Sequence, residues 1–384
     1  MTRPPPSARL CRPRGLLVLA ALLAVAGCAS TAPVGLDRDQ LARLAAARGL
    51  EPSRVVLPYE LDDAMGRWAR ETASAKVPPA TRLELLRERL LEDDALGLEY
   101  VWNHTGTALE VFRERRANCL AFTFLFVGMA REVEVPVYFL AVENVETYRK
   151  EGDLVVISDH VAVGFDLQSE TLVYDFSEHG SQEPEDVRRI SDLTAISMFH
   201  SNRGAEALQA GRVEEAVGWL RAAVVLDPEL AHGWSNLGVG LRRVGDTAGA
   251  EEAYRKALEI DPRIPSAYLN LASLLRLLAR DGEAAELEAA LRASPSRNPY
   301  TYLVLGDISR RGGRLAEARR FYRRAASLAR RDAEPYAALG QLALDEGDLR
   351  RARKMLRKAR RIDDSEDRTS QLAARLAEVP ELGS

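Results

Sequence analysis

Trp234-Ser235-Asn236-Leu237-Gly238 returns 34 residues later as Tyr268-Leu269-Asn270-Leu271-Ala272. The aromatic column continues at Tyr302 and Tyr336, and the leucine column at Leu305 and Leu339. One small-residue column reads Gly204, Gly238, Ala272, Gly306 and Gly340, and a second reads Ala216, Ala250, Ala284, Ala318 and Ala352. Turn glycines fall at Gly211, Gly245, Gly313 and Gly347; Ala279 breaks that column, and Gly282 is expected to take its place. The pairs Asp227-Pro228 and Asp261-Pro262 end one unit before the next begins. Small residues let two helices approach, and larger apolar ones fill the gap between successive pairs. The period is therefore that of a stacked helix pair.

The pattern resembles the tetratricopeptide repeat, and five repeats fit residues 197–366, with a capping helix or tail over 367–384. In such arrays the first helix of each pair lines a concave groove. Two columns on those helices, Asn202, Asn236 and Asn270 and then Arg242, Arg276 and Arg310, could grip the backbone and carboxylate of a protein or peptide ligand. The helix near the end is basic all round, from Arg350 to Arg361, which suits a solvated cap better than a single partner.

Residues 36–196 have another texture. Helical patterns such as Arg82 to Leu91 and Ala108 to Arg115 come first. Short apolar runs follow: Val135 to Val142, Leu154 to Ile157, Val161 to Leu167 and Leu172 to Phe176. Helices followed by an antiparallel meander predict an α+β domain, with Glu143 to Asp153 as an exposed loop between strands.

Three side chains in this region suit covalent chemistry. Cys119 starts an apolar helical run after the polar turn Arg115-Arg116-Ala117-Asn118, where the helix dipole favours a thiolate. His160 opens one predicted strand and Asp175 lies near the end of the next. Adjacent antiparallel strands can bring the two to the same end of a sheet. A thiol attacks an amide well only as thiolate, histidine supplies a base near neutral pH, and a carboxylate orients the imidazole.

Arg115-Arg116-Ala117-Asn118-Cys119-Leu120, Asp159-His160-Val161-Ala162-Val163 and Tyr174-Asp175-Phe176-Ser177 together resemble the transglutaminase-like cysteine enzymes. Asn103-His104-Thr105-Gly106-Thr107-Ala108 and Val127-Gly128-Met129-Ala130-Arg131 fit the same text. The resemblance covers about residues 90–178, and its pairing with trailing repeats is that of bacterial transglutaminase-like lipoproteins. It implies a papain-like domain with Cys119 as nucleophile, His160 as base and Asp175 as its orienting group. Glycine is common in the family where Ala117 stands, and a positive φ there would strain an alanine.

The N-terminus adds an address. Arg3, Arg9, Arg12 and Arg14 precede the apolar run Gly15 to Ala26, and Val25-Ala26-Gly27-Cys28 resembles the bacterial lipobox. The resemblance implies a signal peptide over 1–27, lipid on Cys28, a tether over 28–35, and outer-membrane sorting because Ala29 follows. The protein would then sit in the bacterial envelope, on the periplasmic side, touching the membrane by its lipid alone. Removal of Cys11 with the leader would leave Cys119 as the one free thiol.

A net charge of −4 over 384 residues gives no reason to expect nucleic acid. No histidine pair has metal-ligand spacing and no glycine-rich phosphate loop occurs, so neither metal nor cofactor is expected. His104 reads as structural, His179 as a loop residue, and His200 and His232 as helix-face residues. The expectation is a transglutaminase-like α+β domain followed by an all-α tetratricopeptide-repeat solenoid. It would be a cysteine amidase, peptidase or transamidase acting on a protein or peptide, peptidoglycan peptides included, held by the repeats. The alternative is a non-catalytic repeat scaffold that keeps the domain as a docking module.

Overall fold

The computed structural model describes residues 35–92, 94–142, 147–151, 154–158, 160–168, 170–176, 187–293, 296, 298–363 and 367–378. The leader, Cys28 and His179 lie outside them. The chain from Val34 onward forms one unit.

Helices α1 (Arg38–Ala47), α2 (Asp63–Thr72) and α3 (Pro79–Leu91) come first. The short strands β1 (Glu99–Tyr100) and β2 (Arg116–Ala117) pair in parallel around α4 (Ala108–Glu114). Helix α5 (Cys119–Glu132) follows at once, and every residue from Leu120 to Ala130 is buried. A helix apolar on all sides belongs at the centre of a domain, and α5 takes that place.

Among the described residues six strands come next: β3 (Tyr138–Val142), β4 (Thr147–Glu151), β5 (Leu154–Ser158), β6 (Val161–Leu167), β7 (Glu170–Tyr174) and β8 (Val187–Ile190). Four of them form an antiparallel sheet in the order β7-β6-β3-β8. Phe139, Ala141, Val161, Val163 and Phe165 share the core that contains α5, while Leu140, Val142 and Ala162 form a small cluster of their own. That alternation is the period of two expected of a strand. Gly164 lies opposite Tyr138, whose ring occupies the space a Cβ would need.

Two expectations change here. The stretch from Glu143 to Asp153 is not simply a loop, because 147–151 is strand β4, paired with β5. The strands are also not a simple meander, since β4 and β5 form a separate hairpin between β3 and β6. Strand β8, on the far edge of the sheet, was not expected; its run Val187-Arg188-Arg189-Ile190 carries two arginines and reads as polar.

Five helix pairs follow: α6 (Asp192–Gln209) with α7 (Val213–Leu226), α8 (Ala231–Arg243) with α9 (Thr247–Ile260), α10 (Pro265–Leu277) with α11 (Asp281–Ala293), α12 (Pro299–Arg311) with α13 (Leu315–Leu328), and α14 (Glu334–Asp345) with α15 (Leu349–Arg360). Helix α16 (Asp367–Ala377) packs on α14 and α15. The small columns do what close approach requires: a Cβ at Gly238 would run into the Tyr254 ring, and one at Gly306 into Tyr322. Gly211, Gly245, Gly313 and Gly347 take the left-handed turn, and so does Ala279, with φ 57°. Ala279 thus fills the turn itself, whereas Gly282 lies inside α11, contrary to the substitution expected.

Residue 197 falls inside α6 rather than between elements. Ala195, Ile196, Met198 and Phe199 pack in the core around α5, and Ala205, Ala207 and Leu208 in that of the repeats. One helix therefore serves both regions.

Candidate active site

Asn118 makes the local structure around Cys119. Its Oδ1 accepts Ala121 N–H at 2.9 Å, an N-cap that starts α5 at the cysteine. Cys119 occupies the first helical position, where backbone N–H groups lack intrahelical partners and the dipole end is positive. Ala117 lies buried in β2, and its φ is not positive. The left-handed residue is Arg115, with φ 57°, so an alanine at 117 is not strained in the way a glycine requirement implied.

His160 stands one residue before β6, and Asp175 one residue after β7. The register Val163↔Tyr174 places both at the same end of the sheet. His160 Nε2 lies 2.8 Å from Asp175 Oδ1, and the imidazole lies close enough to the Cys119 side chain for the sulfur to favour its charged form. With Nε2 committed to Asp175, Nδ1 is the ring nitrogen left over. Thr123, one turn beyond Cys119, donates to Val161 O at 3.2 Å and fastens α5 to the strand that His160 precedes. Asp175 is held by its neighbours: Phe176 stacks on Phe122 at 4.1 Å, and Tyr174 packs on Phe126 at 5.3 Å.

Burial disfavours the charged imidazole, since His160 is only 7% exposed. The Cys119 sulfur and the Asp175 carboxylate outweigh that penalty and push His160 up to about 10. His200, in α6, goes the other way. Burial draws it down to about 4, against a hydrogen bond from Nδ1 to Ile196 O at 2.8 Å. Neutral His200 accepts Val56 N–H on Nε2 at 3.2 Å. It is a strut between α6 and the N-terminal region, not a surface residue of a helix face.

The groove columns differ from an open ligand face. Asn202, Asn236 and Asn270 are all buried. Strand β5 lies against α6, α8 and α10, the helices that carry them. Arg276 pairs with Glu288, Arg310 donates to Asp345 at 2.8 Å, and Arg242 donates to Ser273 at 3.1 Å. At the far end, Arg368 of α16 makes a bidentate pair with Asp307 of α12, at 3.0 and 2.8 Å. These arginines bind the solenoid together.

Sequence reasoning missed Thr105, Asn118 and Glu206 around the start of α5. An asparagine directly before an apolar helix is a cap signal, and it could have marked Asn118. Among the described residues, no group of three or more His, Cys, Asp or Glu is placed to hold a metal ion. Among them, too, no helix is long and apolar enough to cross a membrane.

Models of the tetratricopeptide repeat match residues 231–264, 299–332 and 333–365. A search of curated proteins finds no match. Similar solved structures include pilF of Pseudomonas aeruginosa, 24% identical over 47% of this chain and 82% of that one, with a TM-score of 0.35. A thermophilic tetratricopeptide repeat protein of Thermus thermophilus is 21% identical over 47% and 97%, with a TM-score of 0.39. A tetratricopeptide repeat protein of Parabacteroides merdae is 18% identical over 48% and 75%, with a TM-score of 0.38. The C-terminal region of this chain is an all-helical solenoid of tetratricopeptide repeats.

Proposed function

We propose that the chain is a repeat-based protein-interaction protein whose N-terminal region is a transglutaminase-like cysteine amidase, peptidase or transamidase. The observation that carries this reading is the 2.8 Å contact of Asp175 with His160, whose ring lies beside Cys119, the three drawn from a helix start and two strand ends. In the reaction, the Cys119 sulfur attacks an amide carbonyl carbon and the carbonyl oxygen becomes an oxyanion. The Cys119 backbone N–H at the start of α5 is a donor for it. His160 then gives its proton to the leaving nitrogen, the C–N bond breaks, and a thioester and an amine or ammonia result. Water or a second amine, losing a proton to His160, attacks the thioester and frees the sulfur. Asp175 keeps Nε2 occupied throughout, which leaves Nδ1 for the sulfur and for the proton.

The repeats supply the partner, a protein or peptide. An extended segment would enter beside β5 or in its place. The leader's arginines, apolar run and Cys28 support a lipid-anchored address in the envelope.

Alkylation of Cys119 by iodoacetamide as a function of pH, in the full chain and in His160→Ala, tests the enzyme. The wild type is expected to react at pH 6 at least about tenfold faster than the variant. Equal rates would remove the catalytic reading. A second reading, a scaffold without turnover, is favoured by the repeat matches, all of which lie beyond residue 230. Under it, Cys119→Ala leaves every function of the protein intact.

A further inference from the structure

Helix α5 starts at Cys119 because of one amide, and that amide is held by Thr105, which is itself held from the first repeat helix. While Asn118 Oδ1 accepts from Ala121 N–H, Nδ2 donates to Thr105 Oγ1 at 2.7 Å. Thr105 Oγ1 donates in turn to Glu206 Oε1 at 2.6 Å. The same oxygen takes Thr105 N–H at 2.8 Å, and Arg203 Nη1 donates to Thr105 O at 3.0 Å. An amide Nδ2 can only donate and a carboxylate can only accept, so the Thr105 hydroxyl hydrogen between them has one place to go. Thr105 is 1% exposed and Asn118 5%, so water does not offer substitutes freely. Glu206 and Arg203 both belong to α6, the first helix of the solenoid.

We propose that Glu206 is a positioning residue for Cys119, acting from the first repeat helix through Thr105 on the cap of α5. This rests on the reading of Cys119 as nucleophile. The physical reason lies in the hydroxyl. With Glu206 in place, the Thr105 hydrogen is committed to the carboxylate, and its lone pairs face Asn118 Nδ2. Without Glu206 the hydrogen is free to turn toward Asn118. The amide can then flip to offer Oδ1 to Thr105 and Nδ2 to the helix, and Ala121 N–H loses its acceptor. The first turn of α5 carries both the sulfur and the Cys119 N–H, so both lose their fixed geometry together. Reactivity falls steeply with such displacement. The device also makes the nucleophile sensitive to the solenoid, since a shift of α6 reaches the thiol through two side chains.

The test is the pH profile of Cys119 alkylation in the full chain, for wild type, Glu206→Ala, Glu206→Gln, Thr105→Val, Thr105→Ser and His200→Gln, with the thermal midpoint of each. Glu206→Ala and Thr105→Val are expected to lower the rate at pH 6 on the order of tenfold to a hundredfold. Glu206→Gln keeps an oxygen for Thr105, and Thr105→Ser keeps the hydroxyl, so both should stay near wild type. His200→Gln removes from α6 the imidazole that donates to Ile196 O and packs on Phe199 and Trp219, and should lower the midpoint while the folded protein alkylates as before. A Glu206→Ala protein that reacts like the wild type overturns the proposal and leaves the nucleophile reading standing. Rates that merely follow the thermal midpoints, His200→Gln included, overturn it as well, because Glu206 would then be a strut. An inert wild-type thiol overturns the nucleophile reading and this proposal with it. If Glu206→Ala does not fold, the Thr105→Val and Thr105→Ser pair decides.

Discussion

At its C-terminal end, α5 meets the solenoid through charge. Arg131 Nη1 and Nη2 lie 2.7 and 2.9 Å from the two oxygens of Asp192, and Tyr59 donates its hydroxyl to the same carboxylate at 2.9 Å. At its N-terminal end, α5 meets the same helix through Asn118 and Thr105, neutral groups that finish on a single carboxylate. The first device is a bidentate, largely buried ion pair at the start of α6, where a carboxylate also suits the helix dipole. It holds two helices in register and is costly to break. The second is a series of hydrogen bonds that contribute little energy each and fix one amide in one orientation. The two ends show stability and site geometry assigned to different places on one helix.

The largest expected effect comes from the charged end. Arg131→Met leaves Asp192 buried without its partner and should destabilise the protein by about 3–5 kcal/mol, read from urea unfolding. The double variant with Asp192→Leu should recover much of that loss. Neither change should alter the alkylation rate of Cys119 in the folded fraction; a matched fall would erase the distinction between the two ends.

Next come the two histidines, which titrate in opposite senses. His160 is raised from 6.5 to about 10 in the folded state, so its contribution is complete below about 6.5 and is lost as pH rises toward 10. His200 is lowered to about 4, so stability is complete above about 6.5 and falls as the unfolded chain takes up its proton between 6.5 and 4. Unfolding measured from pH 4 to 10 should peak near 6.5 from these two groups. His160→Ala should flatten the alkaline limb and His200→Gln the acid limb. Limbs that persist in both variants would assign the pH dependence to other groups.

Asn118→Ala removes the cap and should cost about 1 kcal/mol, well below the Arg131 effect. Its alkylation rate should nevertheless fall further than that of Arg131→Met, which is the sharpest form of the comparison. The smallest effect belongs to the repeats. Ala279→Gly relieves a left-handed alanine and should stabilise by at most about 1 kcal/mol, with no change at the thiol.

Much of the molecule is legible in its sequence. The columns at 34-residue spacing marked the helix pairs because each pair packs against its sequence neighbours, and local packing leaves a periodic trace. Cys119 at a helix start and His160 and Asp175 at the ends of adjacent strands followed from the order of apolar runs, since a short turn lets β6 and β7 pair. Strand β4 was hidden because Thr147-Tyr148-Arg149-Lys150-Glu151 is as polar as a loop. The destination of β5 had no sequence signal, for an apolar strand reads the same against a sheet or a solenoid.

The sequence by itself determined the repeats, the helices and strands around Cys119, His160 and Asp175, and their chain order. These depend on residues a few positions apart, where periodicity and capping act. Only the tertiary structure decided that α6 serves both regions and that Asn202, Asn236 and Asn270 are covered. It alone joined Glu206 to Thr105 across 101 residues of chain. A hydrogen bond at that separation imposes no spacing, so nothing short of the folded chain could reveal it.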